Sequence, residues 1–576
     1  MIRYFDHRPA ERDNGRGLSR RFFDRAAIMT RTTVIAVSVA ILSFPHPMNA
    51  QLIGPFIGNN YNYVQPGMPN YGIAQGSIFI IAGAPFNMTE STASQSVPLQ
   101  TTLAGVTVTV KVGNVITQAI PYYVSPSQIT AILPSKTPVG AATITVTSGG
   151  MSVSGSTTVV PSAFGMATVS TPAGPTGPWA TALAQDDSEG GQLLSQANAA
   201  NPGEYLTLWG SGLGPVSGDE TQYQTPANLT NIPIEVDIGD VSATVTYRGR
   251  SIYPGVDQIN VIVPLGVSGC NVSVAVTAGG VVSNFATIPV AASGRICSDP
   301  GLISVTTGEY QTLLGLGNVN IGAISLTTLT TTSPGTAAVT SDSAYGMFHG
   351  YTAQQFASNS FLQVPSLGSC LVTEDLWQPP VTSSGPLVQL NAGPQINVNG
   401  PDGALALLQY PGTGTYLEPY GTSPAIVPSA GGAFTFNNNT GGPDVGAFTA
   451  ALSESLTVPL VWTNPPAVAG IDRAKGQLIT WSGGMPASYV YIVGSSSFNM
   501  PSPVAGGTTI NVQFVCSAPL AAGQFTVPAV ALESLPSTAN GNLYVASGSI
   551  QQFSAPGLDL GLLFFGAGSG ISVPFN

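Results

Sequence analysis

The residues able to do chemistry in this chain are few, and their spacing narrows what they could do. "NPGEYLTLWGSGLGPV", Asn201 to Val216, places Gly210, Gly212 and Gly214 after an apolar run, as a strand feeding a phosphate-binding loop would. A dinucleotide fingerprint needs glycine at its first, third and sixth positions, and then a helix. Counted from Gly210, the sixth position is Pro215, and "VSGDETQYQTPANLTN" follows with no apolar helical stripe. No lysine stands nearby to complete a Gly-Lys-Ser/Thr phosphate loop. The glycines therefore read as turn geometry, with positive φ or close chain approach expected at Gly212 and Gly214. No cofactor is expected.

Acid–base and metal chemistry fare no better. Beyond residue 50 the one histidine is His349, in "YGMFHGY", so any Ser–His–Asp arrangement must use it. No nucleophile-elbow pattern accompanies it, no catalytic residue is assigned, and the chain reads as a non-enzyme. Asp186, Asp187 and Glu189 in "QDDSEGGQ" could act as a carboxylate pair only if burial raised a pKa. They could equally supply oxygen ligands to calcium between modules, but the spaced D-x-D-x-D pattern is missing. No metal site is assigned, and these three are its nearest candidates. Cys270, Cys297, Cys370 and Cys516 form no C-x-x-C pair, and zinc would lack ligands. An even count in an oxidising compartment favours disulfides, for which four cysteines allow three connectivities. Cys270–Cys297 and Cys370–Cys516 are expected, since each pair then lies within or between neighbouring modules. Trp462 and Trp481 bracket a strand pair and could stack sugars; core packing is the preferred reading, because large aromatics are usually buried.

The elements that must hold these residues are strands. Only 7% of the 576 residues are charged, against about 25% in an ordinary soluble domain. With 68 Gly, 47 Pro and abundant Val, Thr and Ser, the composition supplies β-branched strands and turns. Eight of the 15 basic residues are arginines within the first 31, followed by the apolar run "TTVIAVSVAILSF" and then Ala50. A basic region, a short apolar core and a small-residue exit describe a signal peptide over 1–50, with Met1 or Met29 as the start. Seven bases then face 23 acids, a net charge of −16, which repels nucleic acid. No later apolar run is long enough for a transmembrane helix.

The chain carries one pattern twice. "AQGSIFIIAGAPF", "GVTVTVKVGNV" and "PSQITAILPSKTPVGAATITVTSGG" recur as "NPGEYLTLWGSGLGPV", "IPIEVDIGDVSATVTY" and "VDQINVIVPLGVSGCNVSVAVTAGG". Gly76 and Gly203 are 127 apart, Gly113 and Gly239 are 126 apart, and Gly149-Gly150 precedes Gly279-Gly280 by 130. A near-constant offset marks two homologous modules. Apolar alternation in "IPIEVDIGD" and the Gly279-Gly280 hairpin argue for immunoglobulin-like sandwiches.

These residues resemble the IPT/TIG-type immunoglobulin-like domain, and more closely an acidobacterial family of uncharacterised secreted proteins that carry such modules. The resemblance is strongest over 195–298. It implies an Ig-like fold used outside the cell for binding or spacing, with no catalytic residues. "LNAGPQINVNGP", "DVGAF", "LVWTN" and "ITWSGG" resemble the C-terminal regions of the same family.

The expected architecture is all-β: tandem IPT/TIG-type sandwiches followed by further β-sandwich domains. The boundaries are a leader at 1–50, module 1 at 51–165, a linker at 166–194, module 2 at 195–298, a Thr/Ser-rich connecting region at 299–383, a β-rich domain at 384–459 and a C-terminal sandwich at 460–576. The expected function is secreted or cell-surface binding, adhesion or scaffolding, toward an extracellular protein, glycan or surface. The alternatives are a carbohydrate-binding or enzyme-accessory protein and a structural surface-layer or matrix component.

Overall fold

Alternating apolar residues on short strands build the first sandwich. The computed structural model describes residues 55–168, 182–299, 305–333, 335–357, 364–374, 386–418, 426–428, 431–452, 460–465, 470–484, 489–499 and 509–576; the leader lies outside them. One sheet runs Phe56–Asn59, Ile78–Ala82, Gln128–Ile132, Ile120–Val124, Thr92–Ala93. The other runs Ile73–Ala74, Met151–Val160, Gly140–Ser148, Thr107–Val112, Val115–Gln118. Val108, Val110, Ile144 and Val146 meet Phe79, Ile81 and Ile129 between them. Each side chain points inward because alternate strand positions share a face.

The second module repeats this frame. Tyr205–Ser211 pairs antiparallel with Asp257–Ile262, and Ile234–Ile238 pairs with Gly269–Ala278. Ile80 faces Thr130 in module 1, and Thr207 faces Asn260 in module 2, so the sequence offset reappears as strand register. Gly279 and Gly280, at φ 59° and 80°, close the expected hairpin, in which Ala278 opposes Val281.

The linker boundaries need correction. Gly165–Met166 and Ala184–Asp186, within or beside 166–194, both pair with Tyr205–Ser211. Polar and glycine-rich residues there read as solvated, yet their backbone groups complete the second module's sheet.

The region expected to connect, 299–383, is also corrected. Asn318–Thr332 and Val339–Thr352 form a long antiparallel pair, and Asn318–Thr332 runs parallel to Leu560–Phe575 with Ile324 opposite Leu563. Threonine is β-branched, so a Thr-rich run suits a strand as well as a linker. One sheet crosses the boundaries expected near 384 and 460, in the order Ser369–Glu374, Thr509–Pro519, Tyr489–Asn499, Thr538–Phe553, Leu560–Phe575, Asn318–Thr332, Val339–Thr352, Thr415–Leu417, Gly403–Gln409, Gln395–Gly400, Thr435–Asn437, Thr449–Ala451. Helix Thr307–Gly315 begins in a capping box between Thr306 and Glu309 and packs Leu313 toward Ile321 and Leu562.

Candidate functional site

The glycine loop does bind an anionic group, and that group is the chain's own. Gly212 and Leu213 N–H donate to Asp257 Oδ2 at 2.8 and 2.9 Å. Gly212 and Gly214 have φ of 112° and 149°, the left-handed geometry that favours glycine. Gly210 is required for a different reason: a Cβ there would collide with the Gly165 carbonyl and the Phe164 ring. Asp257 Oδ1 lies 3.0 Å from Arg250 Nε, and both side chains are sealed from water. Burial pushes the Asp257 carboxyl up, against the opposing pull of Arg250 and the two N–H groups.

This pair sits at the joint between modules. Arg250 Nη1 donates to Gly76 O of the first module at 2.8 Å. Ile78 N donates to Ser211 Oγ, and Asn59 Nδ2 donates to Ala163 O and Ser211 O. Ser135 donates through its N and Oγ to the two oxygens of Glu220. The motif that looked like a ligand site is thus the seam of two domains.

The acidic cluster is also consumed internally, which corrects its candidacy for a metal. Arg295 Nη1 contacts Asp186 Oδ2 at 2.8 Å, and Nη2 reaches Glu189 Oε1 at 2.6 Å and Glu204 Oε1 at 2.7 Å. Asp187 Oδ2 accepts from Thr207 Oγ1 at 2.7 Å. A guanidinium occupies the place a cation would take, and no acidic, Cys or His cluster among the described residues could hold a metal ion.

His349 lies on the Val339–Thr352 strand and donates from Nε2 to Gln389 Oε1 at 2.9 Å; that oxygen also accepts from Gly414 N. Its Nδ1 has no hydrogen-bond partner, and burial pushes the ring's pKa down. The geometry assembles no Ser–His–Asp relay, since the ring's partner is a neutral amide.

Trp462 and Trp481 oppose each other across adjacent strands and are 8% and 5% exposed. Trp481 Nε1 donates to Leu520 O and Trp462 Nε1 to Asn464 Oδ1. The sugar-stacking candidacy is corrected: both rings belong to the C-terminal core, and their N–H groups are satisfied within it. Disulfides join Cys270 to Cys297 within the second module and Cys370 to Cys516 across the neighbouring strands Ser369–Glu374 and Thr509–Pro519.

Arg250, Asp257 and Arg295 were not singled out by motif. Scarcity was the available signal: with seven basic residues beyond residue 50, each arginine is costly to bury without a partner.

The second module also meets the C-terminal body. Asp240 accepts from Cys370 N and Ser273 Oγ, and burial pushes its pKa up to about 8. Asn271 N donates to Ser366 Oγ, and Ser366 N donates back to Asn271 O. Asp299 accepts from Cys270 N at 2.6 Å.

The chain matches no family model and no curated protein. Among solved structures it is similar to the I9–I11 tandem of titin, at 8% identity over 66% of this chain and 93% of that one, with a TM-score of 0.12. It is similar to the D1–D4 ectodomain fragment of ICAM-5 at 8% identity, over 87% and 96% of the two chains, with a TM-score of 0.12. A third is SGBP-B of the Bacteroides ovatus mixed-linkage glucan utilization locus, at 10% identity over 84% and 95%, with a TM-score of 0.11. Superposition at this level carries no functional argument; the all-β, Ig-like class rests on the sheets described above.

Proposed function

We propose that this is an exported, non-catalytic protein whose Ig-like modules and C-terminal β-body act as one rigid unit for binding or scaffolding outside the cytoplasm. The observation that carries this reading is the Arg250–Asp257 seam. Arg250 and Asp257, buried charges behind the glycine loop, are spent on joining modules, and a sealed joint suits a protein that presents surfaces at fixed positions. Two disulfides favour an oxidising compartment. No helix among the described residues is long and apolar enough to cross a membrane. The partner is an extracellular protein, glycan or surface, since a net charge of −16 beyond the leader disfavours nucleic acid.

Fractionation of the native cell tests this reading. The expected result is recovery from the medium or envelope, shortened by about 50 residues, with both disulfides intact. Recovery from the cytoplasm as a full-length, reduced chain overturns it.

A further inference from the structure

The two homologous modules put the same sheet face to different uses. In the second module, Val274 and Val276 of the Gly269–Ala278 strand enter the module's own core, while Ala275 takes the opposite face. Ala275, Val282 and Phe285 there join the core of the C-terminal body, so the face is a protein–protein seam. The 130-residue offset puts Thr145 where Ala275 stands and Ser152 where Val282 stands. Ile144 and Val146 enter the first module's core as Val274 and Val276 do in the second, so Thr145 points away from it. Thr147, Ser152 and Ser154 on that face are exposed.

Strand register sets the hydroxyls in rows. Ser152, Thr147 and Thr107 align across three strands, and so do Ser154, Thr145 and Thr109. Thr145 Oγ1 lies 2.8 Å from Ser154 Oγ, and Thr147 Oγ1 lies 3.0 Å from Ser152 Oγ. Neighbouring hydroxyls therefore repeat at about 4.8 Å across strands and about 6.7 Å along them. Lys111 is the only charged residue on the five strands of this sheet, and it stands on the hydroxyl face opposite Thr143, one row beyond Thr109.

Where this face docks protein in the same chain, it carries Ala, Val and Phe. In the first module it keeps its geometry but presents rows of hydroxyls that both donate and accept hydrogen bonds, with Lys111 beside Thr143 as their single charge. A polyhydroxylated, neutral and extended ligand complements such an array. We propose that the Ser/Thr face of the first module binds an extended neutral polysaccharide chain, a proposal that rests on the binding reading above. The right-handed strand twist fans successive rows, which suits a single twisting chain better than a flat crystal plane.

The test is retention of the purified exported chain on amorphous cellulose, amorphous chitin and β-1,3-glucan gel, with polygalacturonate gel as the anionic control. The double variant Thr145→Val with Ser154→Ala removes both partners of one hydroxyl pair, so no buried group is orphaned. Retention on at least one neutral gel, little on polygalacturonate, and roughly tenfold weaker retention of the double variant are expected. Thr330→Val, at the exposed Thr330–Thr340 pair of the C-terminal sheet, should bind like the parent. A parent chain that stays in solution with all three neutral gels overturns the proposal, as does a double variant retained like the parent. Either failure leaves the exported, non-catalytic reading to the fractionation result, and release of reducing sugar from any gel would overturn that reading instead.

Discussion

Arg250 and Asp257 hold each other across 3.0 Å, 1% and 0% exposed, where the two Ig-like modules meet. Removing one partner strands the other's charge in a dry seam, so Arg250→Ala should cost about 3–5 kcal/mol. Replacing both, as Arg250→Met with Asp257→Leu, should recover part of that loss. Chemical unfolding of the three proteins checks this; equal losses in the single and double variants would remove the ion pair from the account.

Asp240 makes stability fall with rising pH. Its folded pKa, about 8, lies above the ordinary value of 3.8, because burial and nearby Asp237 penalise the charge. Its contribution is therefore fully present below about pH 4 and is lost as pH rises through about 8. Asp240→Asn should match the parent near pH 4 and exceed it by about 1–3 kcal/mol at pH 9. Thermal unfolding at the two pH values decides the matter; an equal effect at both would exclude titration of Asp240.

Cys370 and Cys516 close a loop with a sequence separation of 146, and Cys270 and Cys297 close one of 27. Chain-entropy arguments assign about 5 and about 3.5 kcal/mol to them. Replacing Cys370 and Cys516 by Ala should lower the unfolding midpoint more than replacing Cys270 and Cys297. Non-reducing peptide mapping should recover these two pairs, and any crossed pair would refute the connectivity.

Trp481 supplies both core volume and a donor to Leu520 O. Trp481→Phe should cost about 1–3 kcal/mol through the orphaned carbonyl and the reduced ring. Retention of the folded variant on polysaccharide gels should equal the parent's. A selective loss of retention would return the ring to a sugar site.

Because Arg295 fills the centre of the Asp186, Glu189 and Glu204 carboxylates, calcium should neither bind nor stabilise there. Calorimetric titration and melting with calcium or a chelator should give unchanged curves. Stabilisation of the parent by calcium that is lost in Asp187→Ala would place an ion at this cluster.

The repeat offset was legible because each module needs the same turn glycines and the same inward alternation. Gly149-Gly150 and Gly279-Gly280 locate matching hairpins, and Ile144 and Val274 locate matching core positions. The fate of "QDDSEGGQ" was not legible, since its neutralising partner Arg295 lies 109 residues from Asp186. The Thr-rich 318–332 run was misleading for a related reason. One of its two partner strands, Val339–Thr352, follows closely, but the other begins at Leu560, and parallel pairing leaves no hairpin signal between them.

By itself, the sequence determined an all-β chain, two related modules, and a glycine loop unfit for a nucleotide. Those properties follow from local periodicity and turn chemistry, which act over a few residues. Only the tertiary structure decided that the loop's N–H groups close on Asp257, that Arg250 seals the joint, and that one module's sheet face is covered while its sister's is open. Such outcomes depend on which distant surfaces meet, and burial alone decides whether a carboxylate, a hydroxyl or a tryptophan remains available to solvent.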